Sequence, residues 1–278
     1  MECVSNMTIL EVVILSAICI ALCGRILANK TEEEIEMSYA FCQTKGNQEL
    51  QADVIEVVES SAGILGVVAD GIGKENTGQI CAKIAVDTIL DEYEQYQILD
   101  KADYFFQTSF FMANERIQKN LGNRNGGACV LAVFYDGNTI QYANSGNIQL
   151  FIMRNEELIP ITKGHTISTL ATEAFYQGKI SRTEALWNQK ENKIWNYIGK
   201  DGYHEIEKSK LAIKVKPNDL ILAMTKGIYE SISLAFIEDT LRQERNLQEK
   251  VDQIVMEIEK KREIERENGT IFLLKVEG

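Results

Sequence analysis

Proline and histidine are nearly missing from this chain, with two of each in 278 residues. Two histidines, His165 and His204, cannot build a His-rich metal centre, so any metal would need oxygen ligands, chiefly carboxylates. Two prolines leave no Pro-rich linker, and no internal repeat is visible. The six cysteines (Cys3, Cys19, Cys23, Cys42, Cys81 and Cys129) contain no C-x-x-C pair. They lack the regular spacing of a secreted disulfide framework and read as reduced thiols. Basic residues are also scarce: 29 Lys and Arg stand against 41 Asp and Glu, for a formal net charge of -12. A surface of that sign repels phosphate backbones, which excludes a general nucleic-acid binder. What is present is ordinary for a globular protein, 45% hydrophobic and 25% charged residues, which excludes a wholly disordered or fibrous chain.

One apolar run stands apart. Val12 to Gly24 is uninterrupted, with Glu11 at one edge and Arg25 at the other. Taken from Met7 to Leu27, with both charges reaching the interfaces, it attains the span of about 20 residues that a bilayer core requires. An export signal and a buried core helix are the alternatives. The export reading lacks a basic leading region, since Glu2 is the one charge before Met7. The sequence therefore predicts a single membrane anchor over residues 1–28, a polar linker over 29–37 and a body over 38–278. Arg25 and Lys30 follow the apolar run and no base precedes it, which places the body in the cytoplasm.

Within the body, Val- and Ile-rich runs predict strands at Val54–Val58, Gly63–Ala69, Ala128–Tyr135, Thr139–Ala143, Gln149–Arg154, Leu211–Val215, Leu220–Thr225 and Ile271–Val276. Asp136-Gly137-Asn138 marks a hairpin turn. Helical spacing of apolar residues predicts helices at Gly78–Tyr96, Ala102–Leu121, Ser168–Gln177, Ile237–Arg245 and Leu247–Arg266. The charged run Glu257 to Glu267 reads as the solvated face of the last helix. Three strands end in a charged residue beside Gly or Asn: Asp70-Gly71, Lys226-Gly227 and Glu267-Asn268 before the closing strand. Such ends hold side chains rigidly at a site edge, and the three could converge.

The order of these segments resembles the metal-dependent serine/threonine protein phosphatases of the PPM, or type 2C, family, over about Ser38 to Val276. Val68-Ala69-Asp70-Gly71-Ile72-Gly73 matches the family's Val-Ala-Asp-Gly strand end. Gly126-Gly127-Ala128, Ala143-Asn144-Ser145-Gly146-Asn147 and Ile161-Thr162-Lys163-Gly164-His165-Thr166 follow in the family's order. Asn218-Asp219-Leu220-Ile221-Leu222-Ala223-Met224-Thr225-Lys226-Gly227 and Glu267-Asn268-Gly269-Thr270-Ile271 complete it. The resemblance implies an α+β fold, a four-layer αββα sandwich of two mainly antiparallel sheets flanked by helices, preceded here by the N-terminal transmembrane helix. It also implies a two-metal site at one edge, where Mn²⁺ or Mg²⁺ ions held by carboxylates activate a water against a phosphoester.

Carried over position by position, the implied ligands are sparse. Asp70, the carbonyl of Gly71 and Glu267 remain as metal candidates. Gln48 stands for the phosphate-holding Arg, Ala52 for a metal acid, Asn147 for an Asp and Lys226 for the Asp of Ser-Asp-Gly; Asp53 and Asn268 complete the altered set. Lys45 is near enough in sequence to supply a cation in a shifted register. An ammonium for a carboxylate at Lys226 removes one negative charge and adds a positive one. At about 4 Å and an effective dielectric near 20, each unit pair is worth about 4 kcal/mol before desolvation. The expectation is that Lys226 reaches into the place of the metals and pairs with Asp70, with Glu267 or Asp53 alongside. His165 and His204 read as surface or hydrogen-bonded structural residues, and Trp187 and Trp195 as core packing. The function this implies is a membrane-anchored pseudophosphatase with no bound cofactor, a binding or regulatory module for a phosphoprotein or other protein partner. The alternative is an active phosphoprotein phosphatase on a reduced site with Mn or Mg.

Overall fold

The structure is a computed structural model, and it describes residues 38–96, 101–122, 124–189, 193–261 and 265–277. The proposed anchor (1–28) and linker (29–37) lie outside the described residues. Among the described residues, no helix is long and apolar enough to cross a membrane.

In chain order the elements are β1 (Tyr39–Thr44), β2 (Val54–Ser60), β3 (Gly63–Gly73), α1 (Thr77–Tyr96), α2 (Ala102–Leu121), β4 (Gly126–Tyr135), β5 (Thr139–Ser145), β6 (Gln149–Arg154) and β7 (Glu157–Pro160). They continue with α3 (Ile167–Tyr176), α4 (Arg182–Asn188), β8 (Glu207–Lys208), β9 (Ile213–Lys214), β10 (Leu220–Met224), α5 (Lys226–Tyr229), α6 (Leu234–Arg242), α7 (Leu247–Lys260) and β11 (Gly269–Lys275). One sheet runs β1-β11-β10-β6-β7, the other β2-β3-β4-β5-β8 with β9 also on β5. Every pairing is antiparallel.

The period-2 alternation of the strands sorts their side chains into layers. Val68, Leu131, Ile221 and Phe272 meet between the two sheets. Their neighbours Val67, Ala69 and Val130 turn the other way onto Val86, Ile89, Phe106 and Phe110 of α1 and α2. On the opposite outer face, Leu222, Met224 and Leu273 pack on Ile237, Val251, Ile254 and Ile258 of α6 and α7. Strands buried on both faces explain why these runs read as continuous rather than alternating hydrophobics. Four layers, helix, sheet, sheet, helix, follow.

Several boundaries shift for physical reasons. The strand predicted over Leu211–Val215 shrinks to Ile213–Lys214, because Leu211 is 83% exposed and has no sheet to cover. The helix predicted over Leu247–Arg266 stops at Lys260, after its last core residue, Ile258. Lys261 and the described residues 265–267 of the charged run are therefore outside the helix. Arg266 instead folds back, donating to the carbonyl of Ile258 and the side chain of Asn47. Asn246 starts this helix by accepting the Glu249 N–H at 2.8 Å, which relieves one of the unpaired donors of its first turn. Trp187, expected in the core, is 79% exposed on the short helix α4, which buries no residue.

Ile254 is fully buried between α7 and the sheet. Its truncation to Ala should cost about 2–5 kcal/mol, a cavity too large for close relaxation. A urea titration followed by circular dichroism reads this directly, and a change below about 1 kcal/mol would contradict the packing described.

Candidate functional site

The three charged strand ends do converge. Asp70 and Gly71 in the last part of β3, Lys226 at the start of α5, and Glu267 with Asn268 before β11 line one cleft of about 540 Å³. Gln48 and Ala52, from the loop between β1 and β2, form its facing wall. Of the residues singled out in the sequence, Asn147 is not brought there. It is buried beside a smaller hollow, where its carbonyl accepts the Tyr229 hydroxyl at 3.2 Å.

Under the cleft lies a buried polar knot. Asp53, only 3% exposed, accepts hydrogen bonds on Oδ2 from the hydroxyls of Thr225 and Thr270, each at 2.8 Å. The Thr225 hydroxyl in turn accepts the Thr270 N–H at 2.8 Å, and Gln43 donates to the Thr270 hydroxyl at 3.0 Å. Asp53 precedes β2 of one sheet, while Thr225 and Thr270 belong to the ends of β10 and β11 in the other. Oδ1 of Asp53 has no partner among the described residues. Burial pushes the Asp53 pKa up to about 6; the two threonine bonds oppose this and Glu267 adds to it.

Asp70 is half-buried, and among the described residues its carboxylate accepts no hydrogen bond. Burial drives its pKa well above the usual carboxylate range, reinforced by Asp53 and Glu267 and opposed by Lys226. Lys226 does not pair with Asp70 as expected. Its Nζ lies 2.9 Å from Glu267 Oε1 and 3.6 Å from Glu230 Oε2, one helical turn on. Both are exposed carboxylates, and pairing with them costs less desolvation than it would against the half-buried Asp70. Burial works to lower the Lys226 pKa, but Glu267 and its neighbours outweigh it and the net shift is upward.

Backbone contacts fix this arrangement. A Cβ on Gly227 would sit 2.0 Å from the Asn268 carbonyl, so glycine alone lets α5 dock on that turn and bring Lys226 to Glu267. At Gly71 a Cβ would meet the carbonyl of Gly78 at 2.3 Å and that of Ala52 at 2.8 Å. Asn268 closes the wall: its Oδ1 accepts the Ala52 N–H at 2.8 Å, and its Nδ2 donates to the carbonyls of Lys45 and Leu50 at 2.9 and 3.0 Å. Lys45 is exposed and contributes this carbonyl rather than a cation to the cleft.

Neither histidine lies in this cleft; one is buried and hydrogen-bonded and the other is exposed. Buried His165 accepts the Gly146 N–H on Nδ1 at 3.0 Å, and its backbone N–H donates to the Gly146 carbonyl at 2.7 Å. Its ring meets Trp195 edge-on, with centroids 5.2 Å apart. His204 is exposed, with Nδ1 2.7 Å from the Gly202 carbonyl. Residue-type reasoning missed Thr225, Thr270 and Gln43, because a neutral hydroxyl or amide at a strand carries no charge signal. The available signal was a Thr within two residues of a glycine at two strand ends, Thr225-Lys226-Gly227 and Gly269-Thr270. It also missed Glu49, Glu75 and Ile194, which line the cleft from loops without a motif.

The chain belongs to the protein phosphatase 2C family, whose model matches residues 31–173. It is 22% identical over 193 residues to the serine/threonine phosphatase stp of Listeria innocua, covering 67% of this chain and 75% of that relative. Its fold is shared with the S. agalactiae serine/threonine phosphatase, with a TM-score of 0.75, 22% identity, and coverage of 86% of this chain and 99% of that one. The catalytic domain of serine threonine protein phosphatase PstP in complex with two manganese ions also superposes, with a TM-score of 0.65, 18% identity, and coverage of 86% and 98%.

Thr225→Val should destabilise the chain by about 1–3 kcal/mol, because it strands the buried Thr270 N–H and removes one donor to Asp53. Thr225→Ser restores both bonds and should stay within about 1 kcal/mol of the unmodified chain. Equal unfolding midpoints for the Val and Ser variants would refute the knot.

Proposed function

We propose that this chain is a pseudophosphatase, a type 2C domain that holds a protein partner at its cleft rather than hydrolysing a phosphoester. The observation that carries this reading is the Lys226 ammonium in the cleft wall, 2.9 Å from Glu267. In the family pattern that position is an Asp, and two adjacent divalent ions need converging anionic oxygens to offset their mutual repulsion. Here Ala52 offers no carboxylate, and Glu267 is engaged by the ammonium. Among the described residues, no group of three or more His, Cys, Asp or Glu stands close enough together to hold a metal ion. These residues do not fit a pair of divalent ions. A residual one-ion hydrolase on Asp70, Gly71 and Glu267 is the second reading, and the unpartnered Asp53 Oδ1 beneath Asp70 is the observation that favours it.

The relatives named as serine/threonine phosphatases support a phosphoprotein or other protein as the partner class. Anchoring rests on the sequence of Met7 to Leu27 and would keep that encounter at a membrane surface.

A generic phosphoester substrate with Mn²⁺ tests the reading. The unmodified chain should show no Mn²⁺-dependent turnover above background, and calorimetry should detect no Mn²⁺ binding at micromolar concentration. Lys226→Asp should gain measurable Mn²⁺ affinity, having exchanged a positive for a negative charge in the cleft. Turnover by the unmodified chain would establish the second reading instead. Independently, the full chain should sediment with membranes and a chain lacking Met7 to Leu27 should not; identical fractionation of the two would remove the anchor.

A further inference from the structure

The cleft has the wrong sign for the group this fold is associated with. Among the described residues, four acids, Glu49, Asp70, Glu75 and Glu267, line it against one base, Lys226, and that base is already paired with Glu267 and Glu230. Lys74, on the turn beside Glu75, is exposed and not part of the wall. Behind the wall Asp53 is buried, with Oδ1 unpartnered, and its charge acts on Asp70 and adds to the excess. Among the described residues that line this space, a phosphoryl group would face carboxylates in excess and one cation that is already paired.

Resting on the pseudophosphatase reading, we infer that the cleft receives a cationic side chain, an arginine of a partner protein, with its guanidinium against Asp70 and its stem on the apolar wall. Three features favour a guanidinium over a small inorganic cation. The carboxylates are spread along the wall rather than gathered round a point, and a planar fork of five donors bridges separated acceptors at hydrogen-bond distance. A metal needs three or more ligands near 2 Å. The space of about 540 Å³ admits a whole side chain. Leu50, Ile72 and Ile194 offer apolar surface to the methylene stem, which is how arginine commonly buries itself.

The test uses the full chain and three capped tripeptides that differ at the central residue: arginine, its neutral isostere citrulline, and phosphoserine. Nuclear magnetic resonance titration should show the arginine peptide binding at least about tenfold tighter than the citrulline peptide, as expected when charge-assisted bonds to carboxylates are replaced by neutral ones. That advantage should shrink as salt is raised. It should also fall with Asp70→Asn, and with the double variant Glu49→Gln and Glu75→Gln. The double variant touches exposed residues only and keeps the test open if Asp70→Asn does not fold. The phosphoserine peptide should not bind. Equal affinity for arginine and citrulline, tighter binding of phosphoserine, or displacement of the arginine peptide by micromolar Mn²⁺ would each overturn the inference. If no hydrolysis is seen but arginine and citrulline bind equally, only this inference fails. Mn²⁺-dependent hydrolysis by the unmodified chain would bring down the underlying reading whatever the peptides do.

Discussion

A single buried carboxylate holds the two sheets in register at the functional edge. Asp53 comes from one sheet, and both of its hydrogen-bond donors, Thr225 and Thr270, come from the other. Between the sheets the packing is chiefly of apolar side chains, which are non-directional and tolerate sliding. The knot is directional. It sets where the ends of β3, β10 and β11 stand relative to one another, and with them Asp70, Lys226 and Glu267. Burying a charge with only one of its two oxygens satisfied is costly. The raised pKa of Asp53 expresses that cost, and the reciprocal Thr225 and Thr270 bonds offset part of it.

Around this knot the cleft combines a rigid frame with unbalanced charge. Gly71 and Gly227 bring backbones into contact that no side chain would allow, and Asn268 draws the facing loop onto the same turn with three hydrogen bonds. The frame therefore leaves little freedom for Lys226 to seek another partner. An ammonium held by two exposed carboxylates, Glu267 and Glu230, is a fixed positive point in the cleft wall, while the interior of the cleft stays acidic. This division separates entry from floor: the mouth carries a fixed cation among its carboxylates, and the floor is where an incoming cation gains most.

Much of the architecture was legible because apolar periodicity is a physical demand of layered packing. The helix Ala102–Leu121 and the strand Gln149–Arg154 have the extents their patterns imply. The convergence of Asp70, Lys226 and Glu267 was legible too, through glycines beside charges at strand ends. The pairing of Lys226 was not, since a sequence cannot say which of several acids lies at the rim and which is half-buried. Trp187 misled for a related reason. Its size suggests a core, yet helix α4 covers no sheet and leaves it in solvent. The threonines of the knot were hidden because their importance lies in a partner more than 40 residues away for one bond and more than 200 for another.

The position of β11 in its sheet has a kinetic consequence. It lies between β1 and β10, so an interior strand of that sheet is made after both of its neighbours. Until it is synthesised, β1 has no strand to pair with, Asp53 lacks Thr270, and the loop from Lys45 to Ala52 lacks Asn268. The other sheet, with α1 and α2, is complete in backbone pairing between β2, β3, β4 and β5 long before that. Ordering should therefore begin in that half, where contacts are local, and finish with a long-range closure that creates the knot and the cleft together. A nascent chain would carry its outer framework well before it carries any binding surface.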